Sequence, residues 1–184
     1  MATLPFHDPM LAALSKRIDA VRQRTHNVMF GLRAELLLRI PPGGGWSVGE
    51  VFEHLCVANG SYTLPVERAI AKSLSRGGTP RRHKSTLGGG FLIRALGPSG
   101  RKVPTLKPYV PLEPRDRVVD AFLASLDTVV ALMHDADGQD LRVMLSSPVL
   151  PILRMNLGEA FEVAVVHSER HLVQIERTRK AIEA

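Results

Sequence analysis

Apolar residues recur along the first third of the chain at helical rather than strand spacing. Leu11, Leu14, Ile18, Val21, Thr25, Val28 and Leu32 follow one another by three or four positions, which puts them on one stripe of a helix. Asp8 is placed to cap that helix, and Pro9 falls at its first position, where a missing N–H does no harm. Gly31 should end or bend it, with a shorter piece continuing through Leu38. The run Pro41-Pro42-Gly43-Gly44-Gly45 cannot sustain a helical hydrogen-bond ladder.

A second helix has the clearest start. Ser47-Val48-Gly49-Glu50 is a capping box, with Trp46 and Val51 at the two hydrophobic-staple positions. Val51, His54, Leu55, Ala58 and Tyr62 share a face, and the pattern runs to about Ser75, with Pro65 expected to kink or divide it. Val118, Phe122, Leu126, Val129 and Leu132 predict a third helix from about Arg115 to Met133. Asn156-Leu157-Gly158-Glu159 opens a fourth, running to about Ile182 and roughly 40 Å long. Between the third and fourth lies a stretch read as irregular, containing Pro148 and Pro151. No alternating strand series and no repeat emerge. The expectation is an all-α chain, a four-helix bundle with long crossover loops, forming a single domain over residues 1–184.

The segment at about 76–114 departs from this regularity. It holds seven glycines and six prolines, and its one apolar run, Phe91 to Leu96, predicts no more than a short helical turn. It reads as a flexible cover over one end of the bundle, cut by proteases before the helices are.

Composition and charge then narrow the class. The 184 residues are 45% hydrophobic with a net charge of +6, which suits one water-soluble domain with a substantial core. The single cysteine, Cys56, excludes a disulfide framework and a cysteine-based zinc cluster. No run approaches the ~18 apolar residues of a membrane span. Residues 1–19 lack the pattern of a secretory leader, so the cytoplasm is the expected location. The positive charge is local: nine Lys or Arg and no acid lie between Ala69 and Leu112, which leaves 15 basic and 18 acidic residues elsewhere. Such a segment reads either as a loop kept soluble by its charge or as a means of recognising an anionic substrate, cofactor or lipid surface; nucleic acid is the weaker use, because only Phe91 and Tyr109 could stack on bases and no nucleic-acid-binding motif is present.

The stripe of the fourth helix carries the chemical anomaly. After Ala160 and Ala164 its inward positions fall on His167, His171, Gln174 and Thr178, polar residues where packing calls for apolar ones. His167 and His171 are four apart, the spacing by which a helix offers two imidazoles to one metal ion. His54, on the inward stripe of the second helix, is the candidate third ligand. Three imidazoles from two helices would leave coordination positions open for water or substrate. Satisfied core histidines are the competing reading. Glu169 points about 200° away from His167, so it cannot be the base of a metalloprotease. Glu50 precedes His54 by one turn and could orient a ligand or act as a base, although its capping role already accounts for it. Gln174 could bond a ligand or substrate. His7, His26, His83 and His134 lie off the stripes.

Two segments resemble a known family. Trp46-Ser47-Val48-Gly49-Glu50-Val51-Phe52-Glu53-His54-Leu55 looks like the W-S-x-x-E-x-x-x-H-L element of the DinB/YfiT-like metalloenzymes. His167 to Ile175 resembles their H-x-x-x-H-x-x-Q-[IL] element, and the two stand in the family's order. The resemblance implies an up-down-down-up four-helix bundle with a divalent metal on His54, His167 and His171, zinc or nickel first, iron or manganese next. It also implies a thiol-dependent transferase using a low-molecular-weight thiol on a small electrophile, with a related hydrolysis close behind. A non-catalytic metal- or ligand-binding bundle, dimeric through a helix face, is the alternative. The long basic loop departs from the family's compact pattern.

Overall fold

The computed structural model describes residues 5–98 and 104–184. Arg101 and Lys102, two of the nine cations in the basic segment, lie outside them. The described chain forms α1 (Pro9–Met29), α2 (Val48–Leu74), α3 (Leu87–Leu96), α4 (Val118–Ala136) and α5 (Leu157–Glu183), with single 3-10 turns at Ala34–Leu36 and Lys107–Tyr109. Among the described residues, no helix is long and apolar enough to cross a membrane.

The sequence signals at the helix ends operate as read. Asp8 accepts hydrogen bonds from the Met10 and Leu11 amides, while Ser47/Glu50 and Asn156/Glu159 close reciprocal capping boxes on α2 and α5. Gly31 adopts a positive φ of 72° just past the end of α1, a conformation that disfavours side chains with a Cβ. Pro65 falls inside α2, whose helical assignment is continuous across it.

Ion pairs fix the helix directions. Arg17 and Arg24 of α1 meet Glu169 and Glu176 of α5, so equal steps along both helices keep the partners in register and the two run parallel. At one end of α2 Glu53 holds Arg115, just ahead of α4; at the other, Ser73 bonds Gln139 and Asp140, just beyond it. Those two helices are therefore parallel as well. Asp137, next to the C-terminus of α4, accepts from the amides of His7 and Asp8 at the start of α1. α1 is thus antiparallel to α4. The four long helices run up-down-down-up around a core that includes Phe52, Phe122 and Phe161, each essentially without exposed surface. Each such side chain contributes about 1.5–3 kcal/mol on leaving water.

Two features differ from the sequence reading. A short antiparallel ribbon, β1 (Met144–Ser146) paired with β2 (Arg154–Asn156), occupies the stretch read as irregular. Three-residue strands are too short to display an alternation. The second difference is α3, a ten-residue helix where no more than a short turn was expected. It forms because it is held at both ends against α5. Thr86 caps it through the Gly89 amide, while the Thr86 amide and hydroxyl donate to the fully buried carboxylate of Glu159 at 2.5 and 2.7 Å. At its other end the Arg170 guanidinium donates to the carbonyls of Ala95 and Gly97, where the dipole of α3 is negative.

The glycines at the start of α3 permit this approach. A Cβ on Gly89 would overlap the Glu159 carboxylate, and one on Gly88 would overlap the Arg154 carbonyl. Gly89→Ala should therefore destabilise the protein by about 1–3 kcal/mol through overpacking. Gly90→Ala, whose added methyl meets only the Ser85 hydroxyl at 3.2 Å, should be neutral or gain up to about 1 kcal/mol from lower chain entropy. Urea unfolding of both variants checks the contrast; equal losses would count against the clamp.

Candidate metal centre

The helices and the cover bring His54, His167 and His171 together. The Nε2 atoms of His54 and His167 are 3.3 Å apart, and those of His167 and His171 are 3.1 Å apart. One ring nitrogen from each of the three lies within 4.8 Å of the other two. Four ligands at the usual 2.0–2.1 Å from a tetrahedral ion stand about 3.3 Å from one another. The separations of 3.3 and 3.1 Å thus match edges of such a polyhedron.

The other ring nitrogens orient the imidazoles. His54 Nδ1–H donates to the carbonyl oxygen of Tyr109 at 2.7 Å, and His171 Nδ1–H donates to Gln174 Oε1 at 2.9 Å. A carbonyl oxygen can only accept, so both bonds place the proton on Nδ1 and leave the Nε2 lone pairs facing inward. At most one proton, from His167, can then enter the triangle. One proton cannot fully satisfy two facing acceptors and its own ring, whereas a cation can bind all three. The residues present fit a divalent ion.

Burial keeps the rings neutral. It lowers the His54 imidazole against the opposing pull of the Tyr109 carbonyl, and lowers His167 well below the ordinary range, helped by the neighbouring rings. His171 is pushed down to about 3, first by burial and then by His54. Neutral imidazole is the form that ligates a metal. Trp46 packs beside the cluster, its ring 5.0 Å from His54 and 6.5 Å from His171.

The cluster opens into a cavity of about 730 Å³. α2, α3, α5, the segment leading into the Lys107–Tyr109 turn and the β1–β2 connection all contribute to its wall, and Gln174 lies on it. Glu50 is placed differently: its carboxylate accepts the Ser47 amide at 2.7 Å within the capping box. Glu169 faces α1 and pairs with Arg17 through both oxygens, as its angular position required. Cys56 is buried, and burial raises its thiol to about 11, so it is packing rather than a nucleophile. His83 bonds Asn156 and belongs to the frame of the cover.

Sequence reasoning missed the Tyr109 carbonyl, since a main-chain acceptor leaves no residue-type signature. It also assigned Trp46 to a helix start alone, although an aromatic residue eight positions before a candidate ligand could have been asked for a second role.

An all-α bundle with a largely buried triad of imidazoles on the wall of a cavity defines a class: helical proteins able to hold a metal ion. The family model of the DinB superfamily matches residues 17–175, and the chain belongs to that superfamily. No curated protein and no solved structure matches the chain.

Zinc or nickel added to the metal-free protein should bind at about one ion per chain, and His54→Ala or His171→Ala should abolish this. Gln174→Leu should weaken binding by about 10–100-fold by releasing the His171 ring. Elemental analysis after gel filtration measures the first, competition with a chromophoric chelator the second. Ion held at a hundred times its Kd should raise stability by about 2.7 kcal/mol.

Proposed function

We propose that the protein is a divalent-metal-dependent enzyme, acting as a thiol-dependent transferase on a small electrophile. The observation that carries this reading is the convergence of three inward lone pairs at the wall of a cavity large enough for a substrate. His54, His167 and His171 would hold the ion, zinc or nickel before iron or manganese, since imidazole ligands alone do not select among them. A bound divalent ion supplies Lewis-acid stabilisation to a thiol losing its proton, or equally to water in a related hydrolysis.

The chain's own residues prepare that chemistry. The Tyr109 carbonyl and the Gln174 amide fix two rings in the ligating tautomer. Trp46 shields one side of the cluster, and the burial of the rings strengthens charge interactions among them. The cytoplasm, where low-molecular-weight thiols stay reduced, is the compartment this reading calls for.

Metal-loaded protein should catalyse conjugation within a panel of small thiols and electrophiles, and His54→Ala should lose that turnover together with its metal. Stoichiometric metal without turnover across the panel would leave a metal-binding bundle instead. Glu50→Gln separates cap from base, because glutamine serves a capping box as well as glutamate does. Turnover should survive it; a fall of about 10²–10⁴ would assign Glu50 the proton transfer.

A further inference from the structure

The cavity wall says which kind of co-substrate the centre accepts. Among the described residues lining it, Arg170 is the single Lys or Arg, and no Asp or Glu is present. Arg170 already donates to the Ala95 and Gly97 carbonyls at the end of α3. The rest of the wall is mainly aliphatic and aromatic, and includes Leu92, Leu96, Leu150 and Val163. Phe91, Leu106 and Val110 also line it while remaining 57%, 43% and 44% exposed, so the cavity meets solvent over apolar residues.

Along α2, His54, Ala58 and Tyr62 stand at successive turns on the cavity wall, which sets Tyr62 about 12 Å along the helix axis from the cluster. The Tyr62 hydroxyl itself is buried away from the cavity, so the ring is what Tyr62 offers to it. Polar chemistry therefore sits at the imidazole end of this wall, and apart from Asn59 the surface from there to the Tyr62 ring is apolar.

We infer that the cavity takes an elongated, uncharged apolar molecule, its head at the imidazole cluster and its chain lying along α2 toward Tyr62. This rests on the metal-enzyme reading for the identity of the head, a thiol, but not for the class of the chain. The nine cations of the basic segment pointed to an anionic ligand, yet none of those described lines the cavity.

Calorimetric titration of the zinc-loaded full-length protein with straight-chain thiols, ethanethiol to octanethiol, tests the inference. Affinity should rise about fourfold per methylene until the chain reaches Tyr62. A charge placed along the chain, out of reach of the ion, should be penalised, so 6-mercaptohexanoate should bind more weakly than hexanethiol. A flat series, or tighter binding of 6-mercaptohexanoate, would overturn it.

The corresponding alcohols titrated into metal-free protein make the two readings separable. A chain-length dependence there, in protein that takes up no zinc, would sink the metal enzyme and keep the apolar cavity. Full zinc uptake with no chain-length dependence in either series would do the reverse.

Discussion

Three imidazole lone pairs aimed at one point are the constraint around which this structure is arranged. Nitrogens facing one another at 3.1 and 3.3 Å in a largely buried setting repel unless something positive lies between them. Protons are a poor answer, because burial and mutual repulsion oppose charging any ring. Leaving buried polar groups unsatisfied costs about 1–3 kcal/mol each, a serious fraction of a typical net stability of about 5–15 kcal/mol. The arrangement persists because the far nitrogens of His54 and His171 are tied down by Tyr109 and Gln174. The fold thus holds the ligands pre-oriented and leaves a cation as the natural partner.

The bundle topology explains why one of those ties comes from the cover. α2 and α4 run parallel, so the chain must travel back along the length of the bundle between them. That return path is anchored at Thr86 by Glu159, at the end of α3 by Arg170, and at Arg115 by Glu53. Arg170 belongs to the helix that carries His167 and His171, and Glu53 adjoins His54. The centre and its roof therefore share supports, and displacing the cover would move both a wall of the cavity and the Tyr109 carbonyl.

Much of this was legible because it depends on residue type at fixed spacing. Capping boxes at Ser47 and Asn156, apolar stripes on four helices and polar residues interrupting the stripe of α5 are all local patterns, and local geometry fixes what they mean. α3 was read as a turn because Gly88, Gly89 and Gly90 are poor helix formers in isolation. Its stability comes from contacts with Glu159 and Arg170, more than 60 residues away, which no local rule can see. The same holds for the ribbon that carries Val149 and Leu150 to the cavity. The basic segment makes a related point: its cationic character along the chain does not carry over to the cavity wall, where its described residues contribute no Lys or Arg.

That distinction sharpens what the centre would bind. Three neutral imidazoles cancel none of the charge of a divalent ion, and no carboxylate is among the described residues lining the cavity. In such a low-dielectric enclosure an uncompensated cation attracts an anionic donor strongly. The negative charge must then come from the incoming molecule, at the one atom that reaches the cluster. On the proposed function, a neutral thiol would meet both demands: it would enter an apolar cavity uncharged, and its sulfur would gain charge only on losing its proton. A molecule that carries its charge elsewhere would have to desolvate it against Leu92, Leu96 or Val163, with Arg170 the single Lys or Arg among the described residues of that wall.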